Sequence, residues 1–194
     1  MEVNFEPGKN TMNTNLKFNI GDVLVYGTRG KHTVIAIESR TINNQTLEFL
    51  KLEPVNYAVA KRAPTNSAAI LVPATTARRS GLRASCTLDE MNQALAMFNK
   101  KDPEVADAIL NLAPNRLATE IEKLCNDEGA LGIAKSIQIL CALQRRDVAI
   151  SKPLSLTLDT LLKNLSREFM DHREPTPSNE IEAELRKILK LKQN

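Results

Sequence analysis

Between Phe18 and Leu52, apolar and polar positions alternate in short runs broken by Gly and Asn. "DVLVYG" alternates and stops at Gly27–Gly30, "HTVIAIES" follows, then "NNQT", then "LEFLKLEP". β-Branched and aromatic residues at period two, bounded by turn residues, predict strands in hairpins. "AAILVP" adds a short strand that ends at Pro73, because proline has no N–H to give a ladder. Four or five such strands predict a small β-barrel, since closure removes exposed edges. Residues 54–68, "PVNYAVAKRAPTNSA", carry little pattern and predict a loop with a short strand at Tyr57–Val59.

After Pro73 the period changes to that of helices. Leu88, Met91, Leu95 and Phe98 fall on one face, and Thr87 with Glu90 forms a capping-box signature. Asp102 followed by Pro103 predicts a second helix start. Leu117, Ile121, Leu124 and Cys125 share the next face, and Gly129 and Gly132 flank a break. "IAKSIQILCALQRR" and "SLTLDTLLKNLSREF" are two further helices, separated near Pro153. "EPTPS" is a linker, and the last helix has Asn179 as its cap with Ile181, Leu185, Ile188 and Leu189 inward. The expected class is therefore α+β and multidomain, a small barrel followed by an all-α bundle of five or six helices. The expected division is a tail over 1–15, the barrel over 16–84, helices over 85–174 and an additional helix over 175–194.

Composition narrows the function. Apolar residues make up 42% and charged residues 25%, ordinary for a globular chain. No long apolar run predicts a membrane span, and the N-terminus lacks the apolar core of a secretory signal. Cys86, Cys125 and Cys141 have no C-x-x-C spacing, which argues against a disulfide framework or structural zinc and for the cytoplasm. Residues 1–86 carry 11 Lys/Arg and 6 Asp/Glu, whereas residues 87–194 carry 15 and 17. Between Glu53 and Asp89 there is no acid, while Lys61, Arg62, Arg78, Arg79 and Arg83 all fall there. Such a field suits a polyanion or an acidic protein surface; the plainer alternative is a solvated basic face. His32 and His172 neighbour no nucleophile pattern, and no P-loop, H-x-x-x-H or G-x-G-x-x-G motif occurs. No enzyme, cofactor or metal is expected.

Phe18, Ile20-Gly21-Asp22, Val25-Tyr26, Gly30, "IAIESRTI" and "LEFLKL" resemble the RNA-polymerase-interacting domain of CarD/CdnL-type bacterial transcription regulators. "LVPATTARRSGLR" resembles the segment that closes that domain. "NRLATEIEKLCNDEGALGIAKSIQILCALQRRD" and "LLKNLSREF" are similar to runs of the family's helical domain, so the resemblance spans about residues 16–170. It departs in three places. Gly27 replaces a proline, the 54–68 loop is long, and the family's wedge Trp is absent, its position falling near Ala113. The helix from Ile181 lies outside the pattern.

The resemblance implies an SH3/Tudor-like barrel docked on the RNA polymerase β subunit, by strand addition or edge contact, through Arg40 with Glu38, Thr41 and Leu71. It implies a helical domain beside promoter DNA near the −10 element, contacting phosphates without reading bases. Candidates there are Arg79, Arg83, Lys100, Lys101, Arg116, Lys123, Arg145 and Arg146. The expectation is a nucleoid-associated, cytoplasmic chain, monomeric when free and without a membrane partner. The alternative is an SH3/Tudor-like protein-binding module with no DNA role.

Overall fold

The computed structural model describes residues 18–55, 69–100, 107–146 and 151–191. The tail, the strand expected at Tyr57–Val59, the helix start at Asp102–Pro103, and Lys101 lie outside them.

Five strands, β1 (Val23–Tyr26), β2 (Lys31–Ile42), β3 (Gln45–Pro54), β4 (Ile70–Pro73) and β5 (Leu82–Arg83), form an antiparallel sheet in the order β4-β3-β2-β1-β5. The β2–β3 turn is the two-residue pair Asn43-Asn44 with φ of 50° and 61°. That is the doubly left-handed hairpin turn, and short Asn side chains tolerate it. Among the described residues the sheet is open, with β4 and β5 as its edges, so closure into a barrel is not part of the observed pairing.

The helices are α1 (Leu88–Phe98), the single turn α2 (Asp107–Leu110), α3 (Pro114–Asp127), α4 (Gly129–Arg145), α5 (Lys152–Phe169) and α6 (Ser178–Ile188). Thr87 and Glu90 form the expected capping box. The break expected between Gly129 and Gly132 is shorter than that: α4 starts at Gly129, and Gly132 lies inside it. The cap of α6 is Pro177 rather than Asn179, so the helix begins one residue before that asparagine.

Two apolar cores result. Leu24, Val34, Leu50, Leu52, Val72, Ala77 and Leu82 fill one face of the sheet, drawn from all five strands and the β4–β5 connection. A larger cluster runs from Cys86 through the helices to Leu189 and takes in Ile181 and Leu185 of α6. The helix beyond the resemblance therefore shares the helical core.

Between the cores the contact is polar. Arg83 donates from Nη1 and Nη2 to the Glu168 carboxylate at 2.8 and 2.7 Å, and Cys86 N donates to Glu168 Oε2 at 3.0 Å. The Glu168 side chain is 0% exposed. Lys31 Nζ reaches both Asp171 oxygens at 2.6 Å, and Asn164 Nδ2 donates to Thr28 O at 2.6 Å. At Gly27 an added Cβ would lie 2.7 Å from the Asn126 side chain, so only glycine lets α3 approach this turn, whose φ is +47°.

Removing the acid from a buried pair leaves an uncompensated cation. Glu168→Ala is expected to lower stability by about 3–5 kcal/mol. The double variant Arg83→Met/Glu168→Leu should recover most of that. Urea unfolding of both variants checks it; equal losses would show that the pair is not what joins the halves.

Candidate functional site

Pairing across the sheet decides which residues share a face. Directly opposed residues of antiparallel strands point the same way, and side chains alternate along each strand. Glu38 opposes Phe49, Arg40 opposes Leu47, Lys51 opposes Leu71, and Phe49 also opposes Pro73. Glu38, Arg40 and Leu71 therefore stand on one outer face together with Leu47, Phe49, Lys51 and Pro73. Thr41, expected beside Arg40, belongs to the opposite face, where it opposes Thr46. The four residues assigned to polymerase binding therefore do not all share one face.

On that outer face Arg40 Nη2 donates to Glu38 Oε2 at 2.8 Å, and its guanidinium carbon sits 5.8 Å from the Phe49 ring centre. Lys51 Nζ lies 4.0 Å from the other Glu38 oxygen. The Arg40 hydrogen bond holds the Glu38 carboxyl below its ordinary 4.5. The Arg40 side chain is 48% exposed. A half-exposed guanidinium, flattened on an aromatic ring and flanked by apolar Leu47, Leu71 and Pro73, is a surface composition suited to a protein partner.

The same face changes character at its other end. Val25 opposes both Lys31 and Arg83, and these two cations are held by Asp171 and Glu168 of the helical half. Arg83, expected on DNA, is thus committed to the junction; both of its terminal nitrogens donate to Glu168. The sequence reasoning missed this junction, because its partners lie 85 residues away in the chain.

The remaining basic candidates are spread over both halves, most of them on the helical one. Arg79 is exposed in the turn before β5, and Lys100 is exposed just beyond α1. Arg116 and Lys123 are exposed on α3, and Arg145 and Arg146 at the end of α4. Cys125 Sγ faces Ser136 Oγ at 3.7 Å across α3 and α4. Following that antiparallel register outward puts Arg116 level with Arg145. Lys100 and Arg145 line one cleft. Lys100, Arg116, Arg145 and Arg146 therefore gather at one end of the bundle, whereas Lys123 is two turns away along α3.

Ala113 is the exposed N-cap residue of α3. Leu117 is buried in the helical core and Leu112 packs against it, so neither projects as a wedge.

Among the described residues the three cysteines are buried and His172 takes a structural bond. Burial pushes the Cys86 thiol up to about 12, and those of Cys125 and Cys141 to about 11. Such thiols stay protonated and are weak nucleophiles. His172 Nε2 donates to Cys86 O at 2.6 Å, a structural bond. Among the described residues no group of three His, Cys, Asp or Glu stands close enough to hold a metal ion, and no helix is long and apolar enough to cross a membrane. No protein-family model and no curated protein matches the chain.

His32 is buried on the core face of β2, its Nδ1 2.9 Å from Gly30 O. Burial lowers its pKa from the ordinary 6.5. The unfolded chain therefore binds this proton at higher pH than the folded one. Its contribution to stability is present above pH 6.5 and is lost as pH falls toward the folded value. The urea midpoint should drop between pH 7.5 and 5.5, and drop less in His32→Gln. Parallel curves for the two proteins would remove His32 as the cause.

Proposed function

We propose that the chain is a non-enzymatic transcription regulator of the CarD/CdnL type, working in the cytoplasm at the nucleoid. Its sheet half is a Tudor-like barrel that docks on the RNA polymerase β subunit, and its helical half touches promoter DNA near the −10 element through phosphates. The observation that carries the reading is the outer sheet face. Three of the four residues that the resemblance assigns to polymerase binding, Glu38, Arg40 and Leu71, stand on that face, with Arg40 stacked over Phe49.

The barrel reading is supported by how the core is built. All five strands feed one cluster, and the β4–β5 connection places Ala77 within it. The DNA side is supported by the basic end of the bundle, with Lys100, Arg116, Arg145 and Arg146.

Arg40→Glu should weaken capture of the isolated polymerase β subunit by about tenfold or more, through charge reversal at a contact. Losing the exposed pair with Glu38 costs only about 1 kcal/mol or less, so the fold is kept. Unchanged capture with an unchanged circular dichroism spectrum would take Arg40 out of the interface. Capture without any effect on promoter DNA would favour the protein-binding module instead.

Ala113 is too small to hold an unstacked base step, so open-complex stabilisation rests on phosphate contacts. Arg116→Ala should therefore shorten open-complex lifetime more than Ala113→Gly does, with the difference shrinking as salt rises. Lifetimes on one promoter across a salt series test this; equal effects of the two changes at low salt would contradict it.

A further inference from the structure

The ends of three helices converge where the last helix finishes. Phe98 and Asn99 close α1, Arg145 closes α4, and Ile188 and Leu189 close α6; together with Lys100 and Lys190 they line one cleft. A neighbouring cleft continues past Arg145 and Lys190 to Arg186 and Asp159. The two form a continuous open groove, and α6 makes one of its walls.

The charge of this groove is one-sided. Among the described residues that line it, Asp159 is the only carboxylate, and Arg186 Nη2 already donates to it at 2.7 Å. Lys100, Arg145 and Lys190 are exposed, and none of them pairs with a carboxylate among the described residues. Helix C-termini attract cations, which is the plain reason for basic residues here. Each end, however, carries only about half a negative charge. Lys100, Arg145 and Lys190 more than offset three such ends. Lys190 also sits where glycine is usual: its φ is 56°, at the left-handed position that closes α6, with Leu191 N donating to Arg186 O at 2.9 Å. A lysine there gives up the easier backbone of glycine and gains a cation at the groove rim.

The lining also discriminates among anions. The one aromatic among its described lining residues, Phe98, is buried in the helical core, so these residues offer no ring for a base to stack on. Single strands and free nucleotides are held largely by such rings. The phosphate backbone of a duplex needs only cations along an open track.

We propose that α6 completes a groove that seats the phosphate backbone of double-stranded DNA, with Lys190, Arg145 and Lys100 as its contacts. This deepens the proposed DNA role and rests on it for the choice of polyanion. It assigns the role to a helix that lies outside the family resemblance. Each phosphate neutralised adds about 0.9 to the slope of log affinity against log salt.

The test uses the full chain and a 30-base-pair fluorescent duplex of arbitrary sequence, titrated by anisotropy from 50 to 200 mM salt. Arg145→Gln/Lys190→Gln should lower the slope by about 1.8, so the affinity lost over that range shrinks about 12-fold. Arg29→Gln/Arg78→Gln removes the same charge from exposed positions in the sheet half, away from the groove, and should leave the slope unchanged. An unchanged slope in the groove variant, or an equal fall in the control, would overturn the proposal. So would a groove variant that loses binding to poly-glutamate while keeping the duplex, which would make the partner an acidic polypeptide. Urea midpoints matching wild type keep these readings free of misfolding. Capture of the polymerase β subunit by the same variants is scored separately. Its absence in wild type would sink the polymerase reading while leaving the groove result standing.

Discussion

The carboxylate of Glu168 is the point on which the arrangement of the two halves depends. It is wholly buried, and a bare carboxylate there would cost several kcal/mol. Three donors offset that cost: the two ends of the Arg83 fork and the Cys86 amide. A bidentate pair fixes direction as well as distance. Arg83 points at Glu168 only if β5 is paired correctly with β1, and Glu168 faces the sheet only if α5 is correctly rotated in its own core. The junction thus specifies one docking of sheet on helices, where an apolar contact would have tolerated several.

The same constraint divides the outer face of the sheet. Val25, Lys31 and Arg83 lie under the helices, while Glu38, Arg40, Phe49, Lys51 and Leu71 lie beyond them. Lys31 to Asp171 and Asn164 to Thr28 reinforce the covered end. Asn126 against Gly27 adds a steric stop, since any side chain at that turn would push α3 away. A long hairpin anchored at one end can present the other to a partner without losing core.

Much of this was legible in the sequence. Alternation marked β1 to β3, the Asn pair marked their turn, and Thr87 with Glu90 marked the start of α1. The face of Thr41 was legible too, because it is one residue from Arg40 and period two alone sends it to the opposite side. Arg83 was not legible. It sits in the same acid-free stretch as Arg78 and Arg79, and only the fold brings Glu168 to it. The start of α6 at Ser178, capped by Pro177, was hidden for a different reason: Asn179 is the better capping side chain, but the chain enters the helix before reaching it. Lys190 gave no signal either, because nothing local shows that three helix ends will meet beside it.

A fixed junction has a mechanical consequence for the proposed activity. A few cations contacting phosphates bind DNA weakly, with dissociation constants of about 10⁻⁴–10⁻⁶ M at physiological salt. Such contacts act once the protein is already held near its site, because the second contact then becomes intramolecular. The gain is greatest when the link between the two surfaces neither sags nor swings. A flexible linker would spread the basic end over a large volume, whereas a junction made of Arg83, Glu168, Lys31 and Asp171 confines it. The polar junction and the modest charge of the bundle are therefore compatible: the first supplies the proximity that the second lacks. Strong DNA affinity in the bundle would instead hold the chain on DNA far from any polymerase.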